Sequence, residues 1–410
     1  MKSMVCIISG QHVPNLLTIH EIKPDRLFFL ETSEMRKNRD YILNALEKGG
    51  LDYRNNYESV EISDANSIDE IYQSLSKIYD SSPDDEWYLN LTGGTKPMGM
   101  GGYAFAKDKG LKTLYVAEVN QRQAIDLLGG VSVELNYNVS IEEFLAGYGF
   151  LVDNNKEKLI QSKKEAEKLS HLAALITSNS DNDELSKLLG KLQYIKNRDE
   201  NKKWDRKGIE LSEEDNLRIS NTKLGEEISA TFGLNYSDNK LKGKLTSSGV
   251  KFLTGIWLEV FIYNILLPFN NKKIYDLNTG IRFRKINPDE RKKPGEDNEI
   301  DTCFMYHQSL FIVECKTGGQ RHDDNAQGTL YKIEAIKSGL GAIRINTYLA
   351  TTSPNIIDNK TKEIKPSVKN RCDIYGCKIL QGDILKSWAD RYLSGDEKLN
   401  NDVAKFFRLH

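Results

Sequence analysis

At 410 residues the chain is too long for one ordinary domain and fits two or three. Hydrophobic residues make up 39% and charged residues 28%, enough to bury real cores beneath a heavily charged surface. A net charge of −2 excludes reading a nucleic-acid partner from overall charge, so any such partner must meet local clusters: Lys202, Lys203, Arg206 and Lys207; Arg282, Arg284 and Lys285; Arg291, Lys292 and Lys293. The five cysteines form no CxxC pair and no disulfide ladder, which points to a reducing, cytoplasmic compartment. No signal peptide is visible, and the longest apolar stretch, 253–269, carries Glu259 and Asn264 and reads as a buried helix, not a membrane span.

In chain order, short apolar strands are expected at 4–9, 27–31, 59–62, 87–91 and 113–117, with helices near 36–48, 66–80 and 96–109 between them. That alternation predicts an α/β domain over 1–150 with a Rossmann-like parallel sheet, whose ligands bind beyond the carboxyl ends of the strands. From 151 to 240 the chain becomes rich in Lys, Glu, Asp and Asn, with leucines at helical spacing, and reads as a helical connector. From 241 to 410 a second α/β domain follows: a long helix at 249–267, strands at 273–285, 299–304 and 310–316, a helix at 323–338 and a strand at 342–350.

The second domain carries the clearest chemistry. Asn298–Phe304 and Leu310–Lys316 read as the two strands of a hairpin. Alternation places Glu314 and Lys316 on one side and Cys315 on the other, while Asp301 can lie beside Glu314 across the ladder. Paired carboxylates repel unless a cation sits between them, and hard oxygen ligands suit Mg²⁺ or Mn²⁺. Lys316 then serves to orient or deprotonate a water, or to stabilise charge on an attacked phosphate. Other ExK triplets occur, as at Glu21–Lys23 and Glu363–Lys365, but none rides on an apolar strand behind an Asp-bearing one. Glu259, inside the apolar helix, is a costly placement unless it faces a cation. Gln327 and Tyr331, four apart, share a face of the helix after the strand.

The first domain offers a ligand edge. The expected strand 87–91 runs into Thr92-Gly93-Gly94-Thr95-Lys96-Pro97-Met98, where glycines allow close backbone approach, Thr95 can cap a helix and Pro97 suits its first turn. Helix-start N–H groups with Lys96 favour a phosphate. No GxxxxGK[ST] and no GxGxxG is present, which disfavours a P-loop hydrolase and a dinucleotide dehydrogenase. Ser9, Gln11 and Asn15 follow the first strand, and Thr32 the second, at the same edge; a rim without an acid–base pair suits binding more than chemistry.

Glu259, Asp301 and Glu314-Cys315-Lys316 resemble the helix Glu, the Asp and the (D/E)xK of the PD-(D/E)xK nucleases, and Gln327 to Tyr331 resembles the QxxxY helix of some branches; Ile300 replaces the usual proline. SGQHVPN and LTGGTKPMGMGGYAFA resemble the signature segments of the CARF domain of CRISPR-associated ancillary proteins. Together the two resemble the type III CRISPR ancillary nucleases activated by cyclic oligoadenylate. That resemblance implies a restriction-endonuclease-like C-terminal fold with catalytic Glu259, Asp301, Glu314, Lys316 and Gln327, and with Mn²⁺ or Mg²⁺ held by Asp301, Glu314 and Glu259. It also implies a homodimer binding cyclic tetra-adenylate through Gln11, Thr92, Gly93, Gly94, Thr95 and Lys96, with Ser9, Asn15, Thr32 and Met98 alongside, and single-stranded RNA or DNA as substrate, with nicking of duplex DNA also in scope. The rival expectation is a ligand-responsive nucleic-acid-binding regulator with a degenerate nuclease fold.

Overall fold

A computed structural model describes residues 1–117, 122–198, 203–286, 298–317, 325–340, 344–358, 361 and 363–409, with the side chains of 325–327 also outside the description. Lys202 and the Arg291–Lys293 cluster therefore lie outside the described residues.

The N-terminal sheet contains β1 (Lys2–Ile7), β2 (Arg26–Glu31), β3 (Tyr57–Glu61), β4 (Glu86–Asn90), β5 (Lys112–Val116), β6 (Gln123–Ile125) and β7 (Val133–Glu134), in the order β3-β2-β1-β4-β5-β6-β7. Strands β1 to β5 pair in parallel, and β6 and β7 continue antiparallel. The expected Rossmann-like α/β sheet is therefore present. Its central strands are apolar on both faces: Val5, Ile7, Phe28 and Leu30 enter one core, and Met4, Cys6, Leu27 and Phe29 the other. One element escapes the amphipathic pattern. Val13–Ile22 is a helix buried everywhere except at Glu21, so it shows no polar stripe.

The middle of the chain is helical at Lys156–Lys168, Ser170–Ser178, Asp183–Arg198 and Thr222–Phe232, as its leucine spacing suggests. Two additions depart from a purely helical connector. Phe150–Val152 forms β8, an edge strand of the C-terminal sheet. β9 (Ile209–Leu211), β10 (Asn235–Ser237) and β11 (Lys240–Leu245) form a small antiparallel sheet.

The C-terminal sheet is completed by β12 (Tyr275–Lys285), β13 (Asn298–Tyr306), β14 (Ser309–Lys316), β15 (Ile345–Thr351) and β16 (Cys377–Gln381), in the order β16-β15-β14-β13-β12-β8. The β12–β13–β14 part is antiparallel and β14–β15–β16 is parallel. The helical run Ser247–Phe269 is long and apolar enough to cross a membrane, but 67% of its most apolar window is buried inside the fold, as a core helix requires. One hydrophobic cluster runs from Cys6 and Phe29 through Phe144 and Phe150 to Cys303, Met305 and Ile312, so the two sheets share a core.

Candidate active site and ligand site

β13 and β14 pair with Thr302 opposite Val313 and Cys303 opposite Ile312, and one step further along lie Asp301 and Glu314. Oδ2 of Asp301 accepts the Cys315 N–H at 2.7 Å, which ties the Asp301 carboxylate to the neighbouring strand. Val313 and Cys315 enter one core and Ile312 the other. Glu314 is fully buried, and its Oε2 accepts from Nζ of Lys332 at 2.6 Å, on the helix Asn325–Gly339. Its Oε1 is buried without a hydrogen-bond partner. Lys316 follows at the strand end, half-buried. Glu259 lies in the helix Trp257–Leu266, whose backbone at Glu259 approaches the Thr302 hydroxyl at 3.5 Å.

The electrostatics bind these groups into one unit. Burial, then the Asp301 carboxylate, pushes Glu314 up to about 7, while Lys332 and Lys316 oppose the shift. Burial raises Asp301, against the pull of Lys332 and the Cys315 N–H. Glu259 is held well above the usual carboxylate range by burial and then by Asp301. Burial works against the charge on Lys332, but Glu314 and Asp301 more than offset it. Among the described residues no three His, Cys, Asp or Glu side chains already converge as a metal cage. The donor set nevertheless fits a hard divalent cation: the carboxylates interact with one another, and the orphaned Oε1 of Glu314 is a buried acceptor that requires a partner.

Lys332 is the residue that sequence reasoning missed. Its neighbour Tyr331 is 55% exposed and its ring meets Tyr375 and Arg371 instead of the carboxylates. Gln327 belongs to the same helix, but its side chain lies outside the described residues. The signal available was only a lysine one position after Tyr331. Of the basic clusters, Arg282 and Arg284 are committed to Glu299 and Asp153.

The ligand edge of the first domain falls at the switch between β1 and β4, where strand order reverses. A Cβ on Gly93 would collide with the Ile7 carbonyl oxygen, and Gly94 has φ +81, so this loop requires both glycines to pass close over β1. Thr95 caps the helix Lys96–Lys109 by accepting the Met98 N–H, and Lys96 is exposed at that helix start. The Ser9 hydroxyl accepts the Gln11 N–H at 3.2 Å, and Gln11 is partly exposed. Thr32 is also partly exposed and precedes a turn whose Met35 N–H it holds.

Other expected ligand residues sit behind this edge. Asn15 is buried with its amide committed, Nδ2 donating to the Ile7 carbonyl and Oδ1 accepting from Asn90. Met98 is buried in the core beneath the loop. The Thr92 hydroxyl donates to Asn90 and accepts the Val116 N–H. These three shape the loop and do not present their side chains to solvent as free polar groups.

The comparisons with known proteins agree with this layout. Residues 3–144 match the family model "Card1 CARF domain", and residues 246–372 match "Card1-like, endonuclease domain". No curated protein sequence matches the chain. Among solved structures, Can2 from Sulfobacillus thermosulfidooxidans in complex with cyclic tetra-adenylate is similar at TM-score 0.70 and 19% identity, covering 99% of each chain. Protein VC1899 from Vibrio cholerae is similar at TM-score 0.75 and 19% identity, over 97% of this chain and 98% of that one. A type III CRISPR defence DNA nuclease activated by cyclic oligoadenylate is similar at TM-score 0.51 and 15% identity, over 90% of this chain and 51% of that one. By these matches the chain carries an N-terminal domain of the Card1 CARF family and a C-terminal domain of the Card1-like endonuclease family.

Proposed function

We propose that the chain is a cytoplasmic homodimeric endonuclease of type III CRISPR defence, activated by cyclic oligoadenylate and dependent on Mn²⁺ or Mg²⁺. The observation that carries this reading is the juxtaposition of Asp301 and Glu314 at the end of the β13–β14 ladder, beside Lys316 and Glu259. Cyclic tetra-adenylate is the expected ring, because a two-fold ligand suits a two-fold dimer and Can2 carries that ligand. The helix Lys96–Lys109 supports pairing of two copies: Met100 and Tyr103 are exposed on its outer face, directly after the ligand loop.

The ring phosphates would meet the backbone of Gly93 and Gly94, the helix start capped by Thr95, and the ammonium of Lys96. In the C-terminal domain Asp301, Glu314 and Glu259 would hold the divalent cation, which when bound supplies a polarised water and charge neutralisation on the phosphate. The Cys315 N–H holds one oxygen of the Asp301 carboxylate in place. Lys316 is placed to stabilise the negative charge that grows on the phosphodiester. Glu314 itself is fully buried, a setting that strengthens its electrostatic interactions. Substrate is a single strand of RNA or DNA, with duplex nicking as a further outcome to be scored.

One observation favours the rival, a nucleic-acid-binding regulator without cleavage: the ammonium of Lys332 is paired with the Glu314 carboxylate. Purified protein, Mn²⁺ and labelled single-stranded RNA and DNA, with and without cyclic tetra-adenylate, separate the two. The nuclease reading requires ring-stimulated cutting that Asp301→Asn abolishes and Lys96→Ala weakens. Ring-stimulated binding without any cutting supports the regulator.

A further inference from the structure

We propose that Gln308 is a positioning residue that couples the ligand loops of the first domain to the carboxylates of the second; this rests on the functional reading above. Gln308 sits at the tip of the β13–β14 hairpin, between the paired residues Tyr306 and Ser309. Both tip residues, His307 at φ 46 and Gln308 at φ 57, adopt the left-handed conformation that such two-residue turns normally give to Asn-Gly. Strained backbone of this kind persists only where its surroundings fix it.

Two of the three groups that hold the Gln308 side chain, on Tyr137 and Val139, belong to the N-terminal domain. Gln308 is fully buried, unusual for a hairpin tip. Its Nε2 donates to the Tyr137 carbonyl at 2.7 Å, and its Oε1 accepts from the Val139 N–H at 3.1 Å and the Tyr275 hydroxyl at 2.8 Å. A second fixing point lies beside it. Asp276, also left-handed at φ 51, accepts the Ile141 N–H on Oδ2 at 2.6 Å. The stems of this hairpin carry Asp301 and Glu314, six residues from the tip and therefore roughly 20 Å away along the strands.

From Tyr137 the network continues toward the ligand. The Tyr137 hydroxyl donates to Oε2 of Glu143 at 2.8 Å, and Oε1 of Glu143 lies 2.7 Å from Nε2 of His20. The His20 and Tyr137 rings are stacked with centroids 3.5 Å apart. His20 and Glu143 are both buried, and neither the ring loops nor the carboxylate site uses them directly. His20 lies on the helix Val13–Ile22, which starts directly after Ser9–His12. Asn15 on that helix holds Asn90, and Asn90 holds both the N–H and the hydroxyl of Thr92. Both ligand loops are thus fastened to one helix, and that helix reaches the hairpin tip through the side chains of His20, Glu143 and Tyr137, then the Tyr137 carbonyl and the Gln308 side chain. A largely buried network of this kind resists separation of its members, because parting His20 from Glu143 or Gln308 from its partners leaves a buried polar group unpaired.

The test uses the full-length dimer with Mn²⁺, a labelled single strand and cyclic tetra-adenylate. Tyr137→Phe removes one hydroxyl and keeps the ring stacked on His20; Gln308→Met keeps side-chain length and removes both polar ends. Each variant is measured for ring affinity, substrate KM, thermal midpoint and cleavage rate with and without ring. Expected is an unchanged ring affinity and KM, with the ring-stimulated to ring-free rate ratio reduced by about tenfold, in the usual range of allosteric coupling. Should Gln308→Met fail to fold, Tyr137→Phe decides alone. A folded Tyr137→Phe variant that keeps the parent's ratio overturns the coupling while leaving the nuclease reading intact. A parent enzyme that cuts equally with and without ring overturns the functional reading, and the coupling with it.

Discussion

Lys332 donates to one oxygen of the fully buried Glu314 carboxylate at 2.6 Å and leaves the other oxygen without a partner. Removing the lysine leaves a buried carboxylate with no ion pair. Breaking a fully buried pair costs about 3–5 kcal/mol, but Lys332 is 34% exposed, so solvent screening discounts the figure. Lys332→Met is expected to destabilise by about 2 kcal/mol, and the double variant Glu314→Gln with Lys332→Met by less than the two single changes added. Urea unfolding of the four proteins checks this; additive effects would show that the pair is not coupled.

Gly93 packs its Cα side against the Ile7 carbonyl, with no space for a Cβ. Gly93→Ala therefore forces the loop off β1 and is expected to cost about 1–3 kcal/mol, as overpacking does. Ring affinity, measured by calorimetry, should fall with it. A variant that binds the ring as tightly as the parent would remove this loop from the ligand site.

Burial pushes His12 down to about 4, against about 6.5 for an unfolded imidazole. The unfolded chain then takes up its proton first as pH falls. The stability that the neutral His12 contributes is complete above pH 6.5 and is lost as pH drops toward 4, by up to about 3 kcal/mol. Replacing His12 by Phe, which can keep the edge-on contact with Tyr148, should flatten the fall over that window in thermal melts at stepped pH. An unchanged slope would mean that His12 is not buried as described.

Thr95 accepts the Met98 N–H and donates to the Ala65 carbonyl at 2.7 Å, whereas Lys96 is exposed. Thr95→Ala is expected to cost about 1 kcal/mol of stability as a lost helix cap. Lys96→Ala should leave the melting temperature unchanged and weaken ring binding, with a shallower salt dependence. Both effects are read from melting curves and from ring titrations at two salt concentrations. A Lys96→Ala variant with full affinity would contradict the phosphate role.

The parallel sheet was legible because its central strands are short apolar runs buried on both faces and the helices Arg36–Lys48 and Ile68–Asp80 bury one stripe each. The helix Val13–Ile22 was not, since burial on all sides erases the period that marks a helix. The small sheet of β9, β10 and β11 hid among lysines: in Lys240–Leu245 only Leu241 and Leu245 are buried. The dipeptide Asp238-Asn239, left-handed at φ 50 and 58 between the paired Ser237 and Lys240, was the hairpin signal available. In the acidic site, strand alternation was enough to bring Asp301 and Glu314 to neighbouring positions. Lys332 was invisible because its role depends on how a later helix packs across the strand, which spacing alone does not fix. The same holds for Asn15, a polar residue at the ligand edge whose amide turns inward to hold β1.

The rate of phosphodiester cleavage as a function of Mn²⁺ concentration, for the parent and for Glu314→Ala at saturating cyclic tetra-adenylate, bears most directly on the carboxylate pair. The parent should show a saturable rise, and Glu314→Ala a rate lower by about 10²–10³-fold at every Mn²⁺ concentration while still binding the ring. Cleavage by Glu314→Ala at the parent's rate would mean that the chemistry takes place elsewhere.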